Sequence, residues 1–180
     1  MPVEASVTVI VLNWNGKVLL EDCLGTLEKV EYNNYNILVV DNGSTDDSVQ
    51  YIKSNFSAVD VLELDNNLGY AGGNNAGFEH VLLKYDPEIV VFLNNDTIVD
   101  AHFISALVKK LDDPDAGISA PIFIWPQVRS SIVIFVKWIL QGWLQWKCLI
   151  TQRAAVWRSS QRYFLTSMDL MKLFPCMLKM

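Results

Sequence analysis

Along the first two-thirds of the chain, short unbroken apolar runs alternate with stretches whose apolar residues recur every three or four positions. Residues 7–12, 37–40 and 89–93 are such runs, rich in Val, Ile and Leu, and residues 59–64 and 118–125 are apolar stretches interrupted by Asp60 and Glu63 and by Ser119 and Pro121. Runs of this length and composition predict strands covered on both faces. Between the first two, Leu20, Cys23, Leu24 and Leu27 follow the i, i+3, i+4, i+7 spacing of one buried helical stripe. Val49, Ile52 and Phe56 mark a second helix, Phe78, Val81, Leu82 and Tyr85 a third, and Ile104, Leu107, Val108 and Leu111 a fourth. Ser44 or Thr45 stands where a cap for the second helix belongs, with Asp46 and Asp47 in its favourable first turn. Asp113-Pro114-Asp115-Ala116-Gly117 ends the fourth with turn chemistry, and Asp112, Asp113 and Asp115 read as its solvated end. Strands and helices in this alternation predict an α/β fold, a mostly parallel sheet with helices on both faces and right-handed crossovers.

After residue 125 the pattern is lost. Residues 131–150 are apolar with Lys137, Gln141, Gln145 and Lys147 interspersed, and Arg153, Arg158 and Arg162 follow. Charge changes at the same place: six Lys/Arg face nineteen Asp/Glu up to residue 125, and eight face one beyond it. The later segment also holds four of the six Trp, four of the five Met and one glycine, Gly142. Such a reversal divides the chain into residues 1–125 and an atypical basic, apolar tail, residues 126–180, expected to be helical or poorly structured. Three accounts of the tail stand open. A basic interfacial helix, with Trp138, Trp143 and Trp146 at headgroup level, would give peripheral contact with the inner face of a membrane. An ordinary packed extension is the second. A change of reading frame near residue 126 is the third, and it covers the lost pattern, the reversed charge and the early end together. A full membrane span is not expected, because polar residues interrupt the apolar stretch too soon.

The whole chain, 180 residues with 51% hydrophobic and 19% charged positions, suits a folded domain rather than a disordered or repetitive one. A formal net charge of −6 offers no basic face, so no nucleic-acid partner is expected. Cys23, Cys148 and Cys176 match neither metal-ligand nor disulfide spacing and read as buried thiols in a reducing cytoplasm. The first residues lack the basic and apolar regions of a cleaved signal, which fits a cytoplasmic protein. His80 and His102 sit in helical patterns and read as structural or exposed.

Each of the first four strands runs into a polar cluster: Asn13-Trp14-Asn15, Asp41-Asn42-Gly43-Ser44, Asp65-Asn66-Asn67 and Asn94-Asn95-Asp96. Asn, Asp and Gly make good turns anywhere. Four clusters at the carboxyl ends of parallel strands, however, share one rim, which is where open α/β sheets bind ligands. Asp41 can accept a hydrogen bond from the imide N–H of uracil or thymine, and Trp14 offers a ring for stacking. The segment Asn66-Asn67-Leu68-Gly69-Tyr70-Ala71-Gly72-Gly73-Asn74-Asn75-Ala76-Gly77 reads as a glycine-rich loop leading into a helix N-terminus that attracts phosphate oxygens. It has the spacing of neither a dinucleotide fingerprint nor a Walker loop. Asn94, Asn95 and Asp96 supply one carboxylate and two amide oxygens, a set suited to Mg²⁺ or Mn²⁺ held jointly with a diphosphate.

In order and separation, VTVIVLNWNG, ILVVDNGSTDDS, NNLGYAGGNNAG and VVFLNNDTIVD resemble the N-terminal domain of the inverting GT-A glycosyltransferases, particularly the bacterial rhamnosyltransferase-like branch. The resemblance covers residues 7–125 and implies a GT-A, Rossmann-like fold. It implies that Asn13, Trp14, Asn15 and Asp41 hold base and ribose, and that Gly69, Gly72 and Asn74 lie along the nucleotide-sugar cleft. Asp96 would be the last acid of the family's Asp-x-Asp signature, binding the metal, with Asn94 in place of the first acid and Asn95 between them. The implied activity is metal-dependent transfer of a sugar from a UDP- or dTDP-sugar to a glycan or lipid-linked acceptor, as in cell-wall or polysaccharide biosynthesis. The catalytic base belongs to the family's second half, where residues 126–180 hold one acid, Asp169, in an unfamiliar setting. The base is therefore unassigned, and a truncated chain, inactive alone, is expected. The alternative is a non-catalytic module that binds nucleotide-sugar or a partner. A nucleotidyltransferase would need an early glycine-rich triphosphate loop, which Leu12-Asn13-Trp14-Asn15-Gly16 does not provide.

Overall fold

The computed structural model describes residues 4–111 and the backbone of residues 118–119 and 134–137, all within one compact unit, Met1–Gln141. Its elements are β1 (Val7–Asn13), α1 (Lys17–Leu27), β2 (Tyr35–Asp41), α2 (Ser48–Asn55), β3 (Val59–Glu63), α3 (Gly69–Lys84), β4 (Ile89–Asn94), α4 (Phe103–Leu111), β5 (Ile118–Ser119) and β6 (Ile134–Lys137). The sheet order is β3-β2-β1-β4-β6-β5. The first four strands pair in parallel, and β6 runs antiparallel to both β4 and β5. The mostly parallel α/β sheet expected from the sequence, of GT-A type, is present.

Alternation along the buried strands serves both faces. Val7, Val9 and Val11 of β1, with Ile37, Val39, Ile89, Val91 and Leu93, join one core with Leu20, Cys23, Leu24 and Leu27 of α1, Ile52 of α2 and Ile104, Leu107 and Leu111 of α4. The other face carries α3. There Phe78 meets Phe92 with ring centroids 6.1 Å apart, and Gly77 lies over Ile10 and Val40.

Three local expectations are corrected. The segment from Gly69 onward is the opening of α3, not a loop. Its glycines bring helix and sheet together: a Cβ on Gly73 would stand 2.5 Å from Leu12 Cδ1, and one on Gly77 2.5 Å from Val40 Cγ2. Ser44 and Thr45 do not cap α2, which begins at Ser48 with neither acid in its first turn. They are drawn instead to Asn15, whose Oδ1 accepts from Thr45 N at 2.7 Å and whose N–H donates to Ser44 Oγ at 2.9 Å. Finally, residues 134–137 form a strand where a helix was one expectation. Ile-Phe-Val is β-favouring, and the edge of β4 has backbone groups to satisfy. The fifth expected strand is seen at Ile118–Ser119; its remainder, and the rest of residues 126–180, lie outside the described residues.

Candidate functional site

The strand order reverses across β1, with β2 on one side and β4 on the other, so the carboxyl ends of β1 and β4 flank the switch point. Register places Leu12 beside Asn94 and Asn13 beside Asp41. A cleft of about 350 Å³ opens there, lined by Leu12, Trp14, Asn42, Asn67, Gly69, Tyr70, Asn94, Asn95 and Asp96. Five of the residues singled out in the sequence thus meet: Trp14, Gly69, Asn94, Asn95 and Asp96. Trp14 is 56% exposed at the mouth, an indole face open to a planar partner.

The other five do not line it. Asn13 is fully buried and Asp41 is 3% exposed. Asn13 Nδ2 donates to Asp41 Oδ1 at 3.1 Å and to Ser44 Oγ at 3.3 Å, and Ser44 N donates to Asp41 Oδ2 at 2.9 Å. Asn15, in the left-handed region at φ 49°, spends its side chain on the β2–α2 turn, a conformation asparagine tolerates well. Gly72 faces Leu68, and Asn74 donates to Tyr70 O at 2.9 Å from inside α3. Burial raises the Tyr70 hydroxyl above its ordinary pKa, while its hydrogen bond with Asn74 pulls the other way.

Leu12, Asn42, Asn67 and Tyr70 were not singled out individually. Asn42 had a signal in its place beside Asp41. It is 2% exposed and organises the β3–α3 turn: Nδ2 donates to Asn67 Oδ1 at 3.0 Å and Gly69 O at 3.1 Å, and Oδ1 accepts from Leu68 N at 2.9 Å. Gly43, at φ 72°, lets the chain pass Asn66, whose carbonyl carbon would lie 2.8 Å from an added Cβ. Below the β4–α4 turn, the buried Cys23 thiol donates to Asn94 O at 3.7 Å. Burial is the main cause that pushes this thiol up to about 12; a hydrogen bond from the Thr97 backbone opposes it and the Asp96 charge adds to it. Cys23 is therefore the buried, protonated thiol expected. Of the histidines, His102 is exposed, with Nδ1 3.6 Å from Glu31.

Among the described residues no three His, Cys, Asp or Glu side chains converge as a metal cage. The cleft's oxygen donors still suit a hard cation. Asp96 carries one carboxylate and Asn94 and Asn95 carry side-chain amides, a small donor set that would leave most of a hard cation's coordination to oxygens from elsewhere. Among the described residues no helix is long and apolar enough to cross a membrane.

The pattern of the family described as "Glycosyl transferase family 2" matches residues 8–162. A teichoic acid poly(glycerol phosphate) polymerase of Staphylococcus epidermidis is 28% identical over 130 residues, 70% of this chain and 17% of its own. A GalNAc(5)-diNAcBac-PP-undecaprenol beta-1,3-glucosyltransferase of Campylobacter jejuni is 26% identical over 106 residues, 59% of this chain and 34% of its own. Among solved structures, a mannosyltransferase of Pyrobaculum calidifontis in complex with GDP-Man and Mn²⁺ superposes with a TM-score of 0.61 at 26% identity, over 67% of this chain and 36% of that one. The chain thus spans about a third or less of each.

Proposed function

We propose that this chain, which belongs to glycosyl transferase family 2, binds a UDP- or dTDP-sugar in the cleft between β1 and β4, for transfer of the sugar to a glycan or lipid-linked acceptor. The observation that carries this is the convergence of Trp14, Gly69, Asn94, Asn95 and Asp96 on one cleft at the switch point. Trp14 stacks on the base. Asp41, one layer in and anchored by Asn13 and Ser44, braces the end of β2 behind the base rather than touching it. Gly69 and Tyr70 follow the diphosphate and sugar, and Asp96 holds Mg²⁺ or Mn²⁺ against the diphosphate with Asn94 and Asn95 beside it. When bound, the cation supplies Lewis-acid stabilisation of the departing nucleoside diphosphate. Direct attack by the acceptor hydroxyl makes the transfer inverting. Asn94 in place of a first acid fits the rhamnosyltransferase-like branch, and cell-wall or polysaccharide synthesis fits the teichoic acid and undecaprenol-linked relatives; the cytoplasmic face of a membrane is the place this reading gives the chain.

A second reading, a donor-binding module without turnover, is favoured by one feature: among the described residues Asp96 is the one carboxylate lining the cleft, and the cation takes it, so no second acid there serves as base. Single-turnover mixing with UDP- and dTDP-sugars, Mn²⁺ and a lipid-linked glycan separates the two. Acceptor-dependent loss of donor supports transfer, donor binding without such loss supports the module, and no binding of any donor contradicts both.

A further inference from the structure

The hydrogen-bonding pattern fixes which way two amides face. Asn13 lies 3.1 Å from Asp41 Oδ1 through its Nδ2. A carboxylate accepts and does not donate, so the edge of Asn13 that meets it has to be the NH₂. Asn13 Oδ1 then points the other way, 2.9 Å from Asn95 Nδ2. That oxygen can only accept, so Asn95 turns its own NH₂ inward and keeps Oδ1 on the side away from Asn13. Asn13 is fully buried, whereas Asn95 is partly exposed and lines the cleft beside Asp96. The backbone is shaped for this contact: a Cβ on Gly16 would stand 2.6 Å from Asn13 Oδ1 and closer still to Asn95 Nδ2.

We propose that Asn13 is a positioning residue that turns the side-chain oxygen of Asn95 into the cleft, where it serves beside Asp96 as a second protein oxygen for a divalent cation. The charge at the end of β2 thereby selects the atom shown at the end of β4. An outward NH₂ would repel a cation, whereas an outward oxygen holds one. This rests on the donor-binding reading above.

The test uses the whole chain, with Mn²⁺ titrated at saturating UDP and free Mn²⁺ followed by its electron paramagnetic resonance signal. Asn95→Ala and Asn13→Leu are each expected to weaken Mn²⁺ binding about ten-fold. The double variant should lose no more than either alone, because both remove the same oxygen. Wild-type affinity in Asn95→Ala, or full additivity in the double variant, overturns the inference. Asn95 is partly exposed, so Asn95→Ala decides the matter even if Asn13→Leu does not fold. A wild-type chain that takes up no Mn²⁺ with UDP overturns the donor-binding reading as well.

Discussion

At Gly16 the missing side chain leaves room for the Asn13–Asn95 hydrogen bond. Gly16→Ala drives a methyl group against the partly exposed Asn95 amide, which can swing aside, and against the buried Asn13 amide, which is held by Asp41 and Ser44 and loses a partner, so it costs about 1–3 kcal/mol in stability. The cleft is affected too: with that bond broken, Mn²⁺ affinity in the presence of UDP should fall about ten-fold, measured well below a thermal midpoint that itself drops by several degrees. Cys23 makes a pH prediction. Its folded pKa, about 12, lies above the ordinary value of 9.0, so the folded chain holds this proton more tightly than the unfolded one. The stabilisation is complete below pH 9 and is lost as pH rises toward 12. Urea titrations of wild type and Cys23→Ala should therefore converge in stability across that window. A gap that stays constant with pH contradicts the assignment.

Among the elements, the first four strands were legible because their burial leaves largely apolar runs such as residues 7–12 and 89–93, and α1 and α4 because burial on one face leaves a periodic stripe; β6 was not, since its four residues lie in an apolar stretch with no such boundary. α3 was half legible. Phe78, Val81 and Leu82 show the stripe, but its first turns are glycine and asparagine, which read locally as a loop. What makes them helix is tertiary: Gly73 and Gly77 sit where β1 and β2 leave no space for a side chain. Gly77→Ala should gain helix propensity yet drive a Cβ into the stiff Val40 and Ile10, for a net loss of about 1–2 kcal/mol in urea unfolding. Gly25, inside α1 with nothing within 4 Å of a built Cβ, is the control. Gly25→Ala should stabilise by about 0.5–1 kcal/mol. Equal effects at the two positions would contradict the packing account. The cap expected at Ser44 or Thr45 failed because Asn15, far away in sequence, takes up that turn.

For the molecule as a whole, the sequence revealed the rim and not its depth. Polar clusters after four successive strands locate the site, since a parallel sheet brings those ends together. Which side chains face the cleft depends on pleat and turn geometry that spacing does not carry. So Asn13 and Asp41 were expected as ligand contacts and lie one layer in, while Asn42 and Tyr70, expected only as parts of their segments, line the cleft. The proposed function stands or falls with a nucleoside diphosphate held at this rim by a divalent cation on Asp96. Calorimetric titration of UDP into wild type and Asp96→Asn, each with and without Mn²⁺, decides it. Mn²⁺ should tighten UDP binding at least ten-fold in wild type and by far less in Asp96→Asn; equal tightening in both chains, or none in wild type, would contradict the cation site.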